Sequence, residues 1–477
     1  MGNAYLAYTC EDGRLIASSN DHTVLATPHG AEPLSTLRLA EFFCFEELSG
    51  AHTFFERVKA LLPGEMVIQQ AGVIRRRWLS RPCLENRIER AHWEEYVEEF
   101  AEHLEASVRR SLEGLDRVAV LLSGGLDSTP IAAFAARHLS GRGARAPVSA
   151  ICWRFTDPRG DESELIRRSA DQLGFEIEWI DCDDAVPFLN LAEWPIHPAT
   201  PEQTAFRWFH QRSYARAAAL GHSVILSGFC GDALYVSARR WAWDLLAAEG
   251  PGRAIDRLRE VALDIGWRRT LRTQVLGPLL SRMRGLRREL PRHLTPETRR
   301  RLAERERWPA DLEAARRPRQ AERVLALLDA HGINVERHYT DAFGLEMRTP
   351  LRDFALVQFM LAVPDHLLRQ GTETRPILRA ATRGLIPDSV RLRTGKAAFH
   401  DVFDRGMATD KLRWTRSLLL DPDALWRSYV EESAIRSWIE NAPTDNWGKI
   451  GYLHAIYGEL WRRERAGLPR PLADAVD

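Results

Sequence analysis

The residues best placed to do chemistry are Ser123-Gly124-Gly125-Leu126-Asp127-Ser128, which follow the apolar run Val118–Leu122 and open an alanine-rich segment, Thr129 to Leu139. Adjacent glycines let the backbone turn tightly and bring its N–H groups close to an anion. A helix starting at Ser128 adds unsatisfied donors and a positive dipole end. The string therefore predicts a cradle for a polyphosphate. It is not a Walker A loop, because Gly395-Lys396 is followed by Ala397 and lacks the partner glycine, and no dinucleotide G-x-G-x-x-G occurs. A second turn, Leu226-Ser227-Gly228-Phe229-Cys230-Gly231-Asp232, again ends an apolar run in glycine and aspartate. Asp127 and Asp232 offer hard oxygens, and two carboxylates from neighbouring strand ends could bridge Mg²⁺ and a triphosphate.

Elements that must position these turns can be read from periodicity. Strands are expected at 118–122, 148–155, 176–181 and 224–226, alternating with helices at about 129–139, 162–173 and 206–220. Strands separated by helices of that length predict parallel β-α-β units, hence an α/β doubly wound sheet with ligands beyond the strands' carboxyl ends. Trp93, Val97, Phe100, Leu104, Val108 and Leu112 recur at helical spacing and open this domain. Before it, residues 1 to about 85 alternate β-prone runs (Tyr5 to Tyr8, Thr23 to Thr27, Glu65 to Gln69) with turn signals, a small sheet-containing module. From Trp241 onward, and again over 330–477, the pattern is mostly helical.

The chain of 477 residues balances 66 Lys+Arg against 66 Asp+Glu, which argues against a broad nucleic-acid surface. Only four of the basic residues are lysines (Lys59, Lys396, Lys411, Lys449), so a lysine in a chemically suggestive place is informative. Between Trp267 and Arg301 eleven arginines face only Glu289 and Glu297, either a solvated helix face or a docking surface for an acidic partner. Six scattered cysteines (10, 44, 83, 152, 182, 230) form no C-x-x-C pair or zinc spacing. With no membrane span and no signal-peptide pattern, a cytoplasmic location is expected.

The Ser123–Ser128 string resembles that of the PP-loop ATP pyrophosphatases, which cleave ATP between the α and β phosphates and adenylate a substrate. Together with Ser227–Asp232, Gly344-Leu345-Glu346-Met347-Arg348-Thr349-Pro350-Leu351-Arg352-Asp353, Ile377-Leu378-Arg379, Gly384-Leu385-Ile386-Pro387 and Arg393-Thr394-Gly395-Lys396, it resembles the synthetase domain of the asparagine synthetase B family, from about Tyr96 to the C-terminus. The resemblance implies a PP-loop/HUP-like sheet with a helical C-terminal lobe over 86–477, carrying an arginine-rich insertion at about 252–325. It implies a degenerate, reduced α+β Ntn-hydrolase-like glutaminase module over 1–85. It places Leu121, Ser123, Gly124, Gly125, Asp127, Ser128, Cys152, Ser227 and Gly228 at ATP, Asp127 and Asp232 at Mg²⁺, and Glu346 and Lys396 where cyclising relatives carry a general base and a cation.

Two departures from the family pattern sharpen the expectation. Residue 2 is Gly2 where glutamine-dependent members expose a cysteine nucleophile, and Cys10 has no free α-amino group to serve as base, so no glutaminase activity is expected. Phe229 stands where asparagine synthetases have glutamate and β-lactam-forming relatives tyrosine; it can neither titrate nor donate a hydrogen bond, and suits a bulkier acyl substrate. These features are most similar to the lasso-peptide cyclases. The resemblance implies ATP-dependent adenylation of an Asp or Glu side chain in a precursor (core) peptide and closure of a macrolactam by the peptide's N-terminal amine, with a leader-peptide-processing protease and a leader-recognition protein as partners. A stand-alone amide or β-lactam synthetase acting on a small molecule is the alternative.

Overall fold

The computed structural model describes residues 5–469 apart from residue 12 and the segments 20–22, 25–32, 46–49, 84–85, 141–146, 185–186, 205–206, 236–245, 247–249, 277–289, 305–329, 365–366, 371–372, 396–404 and 408–413. Its centre is a parallel sheet of five strands: β6 (Val118–Leu121), β7 (Val148–Arg154), β8 (Glu176–Asp181), β9 (Val224–Leu226) and β10 (Glu346–Arg348), in the order β10-β9-β6-β7-β8. All four neighbour pairs are parallel. The four runs expected as strands are strands; the interior β6 and β9 are apolar throughout because both their faces are covered, whereas the edge strand β8 carries charges at Glu176, Glu178 and Asp181.

The side chains alternate accordingly. Val118, Val120, Val148, Ala150, Cys152, Val224 and Leu226 enter one core, with α2 (Trp93–Ser111), α3 (Ser128–Ser140) and α10 (Phe354–Ala362). Ala119, Ile151, Ile180 and Ile225 enter the opposite core with Phe209 and Tyr214 of α5 (Arg207–Ala219) and Tyr339 of α9 (Ala330–Asp341). The predicted stripe on α2 is the packed one: Phe100, Leu104, Val108 and Leu112 are fully buried. Helix α3 is buried nearly all round, and its alanines 132, 133, 135 and 136 allow that close approach.

The strand order reverses beside β6. From β6 the chain steps outward to β7 and β8, then returns to place β9 on the other side of β6. The loops after β6 and β9 therefore part at a topological switch point, where open α/β sheets leave a crevice for ligands.

β10 was not expected, since 330–477 reads as helical. Its three residues, Glu-Met-Arg, have no apolar run; pairing with β9 makes the strand, Met347 lying opposite Ile225.

The N-terminal part is built from two antiparallel pieces. β1 (Ala7–Glu11) pairs with β2 (Arg14–Ser18) and β3 (Lys59–Ala60), and β4 (Glu65–Gln70) pairs with β5 (Val73–Trp78) through Ala71-Gly72, both at positive φ as a two-residue hairpin turn demands. Of the β-prone run Thr23 to Thr27, Thr23 and Val24 form a helical turn and the rest lies outside the described residues. An unpredicted helix, α1 (Thr36–Cys44), starts at Ser35, whose side chain accepts from Arg38 N–H. It packs on α12 (Asn446–Arg465): Phe42 stacks on His454 with ring centroids 4.4 Å apart, and Tyr5, Phe43, Phe54, Tyr452 and Trp461 share one core.

Among the arginines of 267–301, residues 282, 284, 287 and 288 lie outside the described residues. Arg300 and Arg301 pair with Glu297 of their own helix, holding its carboxyl at about 2. Among the described residues no helix is long and apolar enough to cross a membrane. All six cysteines are free thiols.

Candidate active site

The glycine string forms the loop between β6 and α3. Gly124 has φ +68, and a Cβ there would stand 3.1 Å from Ile166 Cγ1 and 3.2 Å from Glu162 Cβ, so only glycine fits without displacing α4 (Ser163–Leu173). Ser123 N–H donates to Ser128 Oγ at 3.2 Å, Gly125 N–H donates to Ser123 Oγ at 3.3 Å, and Thr129 Oγ1 donates to Gly125 O at 2.8 Å. Leu121 is half-buried at the strand end, Ser123 is exposed, and Gly125 and Asp127 are half-buried, so the loop presents backbone and one carboxylate outward.

The second turn lies directly against the first. A Cβ on Gly228 would be 3.1 Å from Ser128 N, and one on Gly231 would be 2.5 Å from Asp127 Cγ. Cys230, between them, holds φ +70. Ser227 is tied to the sheet by its N–H to Arg348 O at 3.0 Å, and its Oγ accepts from Phe229 N–H. Helix α6 (Gly231–Tyr235) then carries Asp232 on its exposed side and Tyr235 inward. The structure thus brings together Ser123, Gly124, Gly125, Asp127, Ser128, Ser227, Gly228 and Asp232.

A guanidinium from far along the chain joins the two aspartates. Arg375 Nη1 donates to Asp127 Oδ1 at 2.7 Å and Nη2 donates to Asp232 Oδ1. Arg375 is 6% exposed and precedes α11 (Pro376–Ala381). The Tyr235 ring lies 5.9 Å from the guanidinium carbon, and burial, reinforced by Asp127, pushes the Tyr235 hydroxyl well above its usual range. Nothing in the local sequence around Thr374-Arg375-Pro376 marks this role.

Other predicted residues stand apart from this knot. Cys152 is fully buried in the core beneath β7, its thiol pushed up by desolvation, rather than at an open surface. Glu346 is on the edge strand, its carboxylate held bidentately by Arg348, Nε at 3.0 Å and Nη2 at 2.8 Å. Lys396 lies outside the described residues. The segment leading to it is anchored: Arg393 pairs with Glu162, the residue against Gly124, and Arg379 Nη2 donates to Arg393 O at 2.8 Å. Sequence reasoning missed Glu162 and Arg375, whose partners are distant in the chain.

Phe229 is 46% exposed and lines two adjoining cavities that also share Gly332 and Glu336. The larger, about 640 Å³, runs along β10 past Glu346, Met347 and Arg352; the smaller, about 190 Å³, reaches Arg38, Glu41 and Phe42 of α1.

The residues present fit a divalent cation held beside a polyphosphate. Mg²⁺ is usually bound by one or two carboxylates and completes its shell from phosphates and water. Asp127 and Asp232 supply two such oxygens one guanidinium apart, and among the described residues no third acid, His or Cys joins them to make a closed protein cage.

A parallel sheet with a glycine loop and paired carboxylates at its switch point defines a class, the open α/β proteins that bind ligands in the crevice beyond the strand ends. Within it the chain belongs to the asparagine synthase family, whose profile matches residues 99–462. Amidase chry2 of Gibberella zeae is 30% identical over 206 residues, covering 38% of this chain; the match spans 28% of that relative's length. The solved NH3-dependent NAD synthetase from Campylobacter jejuni, in complex with the nitrate ion, shares 14% identity over 48% of this chain and 96% of its own, with a TM-score of 0.19.

Proposed function

We propose that the chain is a lasso-peptide cyclase: it consumes ATP to join an Asp or Glu side chain of a core peptide to that peptide's N-terminal amine, releasing AMP and diphosphate. The observation that carries the ligase part is the meeting of Asp127 and Asp232 at the glycine loop, where one guanidinium spans both carboxylates. The substrate part is supported by Phe229, an exposed apolar ring between two cavities, which offers contact area and no titratable group to a bulky acyl chain.

The loop from Ser123 to Ser128, with Gly228 and the Ser227 hydroxyl beside it, would hold the triphosphate, with Leu121 at the end of β6 and Cys152 buried within β7 beneath the nucleotide. Asp127 and Asp232 hold Mg²⁺, which when bound neutralises charge on the leaving diphosphate. The substrate carboxylate attacks the α-phosphorus, the bond to the β-phosphate oxygen breaks, and diphosphate departs. The amine then attacks the activated carbonyl, AMP leaves, and the amine's proton passes to a base. Glu346 is our candidate for that base, released from Arg348 as the substrate enters. Lys396 is our candidate for the cation that stabilises negative charge developing at the reacting carbonyl.

Residues 1–85 are proposed as a reduced Ntn-hydrolase-like module without glutaminase activity, and 86–477 as the synthetase domain with its arginine-rich insertion at 252–325. Cys10 sits inside β1, paired opposite Leu15, so its nitrogen is a peptide nitrogen and cannot act as a terminal amine. A cytoplasmic setting, a leader-processing protease and a leader-recognition protein complete the reading.

The test is incubation with ATP, Mg²⁺ and a cleaved core peptide. Loss of one water from the peptide with matching diphosphate release is expected. Diphosphate release only with small acids and amines would move the assignment to a small-molecule amide synthetase. No diphosphate with any carboxylate would end the ligase reading.

A further inference from the structure

The guanidinium on Asp127 and Asp232 occupies the coordination positions that a divalent cation bridging the same oxygens would need. Mg²⁺ requires oxygens at about 2.0–2.1 Å in near-octahedral arrangement, and a nitrogen donor already lies 2.7 Å from Asp127 Oδ1. Arg375 and a cation bridging Oδ1 of Asp127 and Oδ1 of Asp232 are therefore mutually exclusive. Moreover, Arg375 is held deliberately: it adopts φ +60 and ψ +42, a left-handed backbone at a non-glycine residue immediately before Pro376. Such conformations are strained and persist only where the surroundings over-determine them. Its side chain is 7% exposed, so the guanidinium is shielded from bulk water. The glycine loop expected to bind an anion carries Asp127 and so adjoins the guanidinium.

We propose that Arg375 is an internal counter-ion that competes with the divalent cation for Asp127 and Asp232, so that the metal enters only together with the polyphosphate, to which the displaced guanidinium turns. This rests on the reading of Asp127 and Asp232 as the metal pair. The exchange has a charge logic. Bringing a dication beside the guanidinium alone would be repelled, whereas a polyphosphate supplies the negative charge and acceptor oxygens that a guanidinium binds in bidentate fashion. Arg375 is thus a positioning residue for the metal and a binding residue for the nucleotide.

The test uses the full chain and Mn²⁺ as probe, read by the electron paramagnetic resonance of free Mn²⁺. Without nucleotide, Arg375→Gln should bind Mn²⁺ at least about tenfold more tightly than wild type, and its melting temperature alone should rise on Mn²⁺ addition. Arg375→Lys, which keeps the charge, should stay as weak as wild type. With a non-hydrolysable ATP analogue present, Arg375→Gln should bind the analogue about tenfold less tightly, having lost a charge-assisted contact. Asp127→Asn and Asp232→Asn test the underlying reading. If they lose Mn²⁺–analogue binding while Arg375→Gln matches wild type in Mn²⁺ alone, the competition is refuted and the metal pair survives. If they bind as wild type does, the metal pair falls and the competition with it.

Discussion

A Cβ placed on Gly231 would stand 2.5 Å from Cγ of Asp127, 2.7 Å from its Oδ1 and 2.8 Å from its Oδ2. The carboxylate after one strand lies on the bare backbone of the turn after its neighbour. Gly231→Ala should therefore displace Asp127, destabilise the fold by about 1–3 kcal/mol through overpacking and abolish diphosphate release. Gly252→Ala, with open space around the new methyl, is the control and should be close to neutral in denaturant melts.

Asp127→Asn and Asp232→Asn should each lower diphosphate release by at least about 10²-fold, the usual loss when one charged stabilising group is removed from such a site. Circular dichroism melts of Asp232→Asn should stay close to wild type, because its side chain is 68% exposed, whereas Asp127→Asn, which leaves the buried Arg375 a charge short, should melt lower. Unchanged turnover in either variant would remove that residue from the site.

Glu346 is expected to act after activation rather than during it. Glu346→Gln should lower peptide ring closure by about 10²–10⁴-fold, the range for a positioned general base, while isotope exchange between ATP and diphosphate, driven by the peptide, persists. Loss of both activities together would assign Glu346 to holding Arg348 and the edge strand instead.

Acid should destabilise the fold through histidines that are buried neutral. Burial holds His454 at about 4 and His222 at about 4, against 6.5 when unfolded. Between those values the unfolded chain binds more protons than the folded one, so stability is full above pH 6.5 and falls as pH drops toward 4. Each such site adds at most about 1.4 kcal/mol per pH unit to the slope. His454→Phe, which keeps a ring against Phe42, should flatten the urea-midpoint profile across that window; an unaltered slope would mean that His454 titrates normally.

Much of the frame was legible beforehand. Val118–Leu122 and Val224–Leu226 read as strands because a parallel sheet covered on both faces needs uninterrupted apolar runs, Val148–Phe155 is nearly such a run, Glu176–Asp181 follows from the strand–helix alternation, and each is a strand. Glu346–Arg348 escaped notice because a three-residue edge strand with a charge at each end has no such run. Its extended form comes from β9 alone. α1 was likewise hidden among β-prone runs, its burial supplied by α12 from the other end of the chain.

By itself the sequence determined the chemistry of the two turns: adjacent glycines after a buried strand, a helix start, and an aspartate in each, features set by local backbone freedom and residue type. Only the tertiary structure decided that the two aspartates meet, because that depends on β9 returning beside β6. It also decided that Arg375, 248 positions from Asp127 and 143 from Asp232, is the cation between them. Charge pairing of that kind is set by distance in space, which no spacing along the chain records.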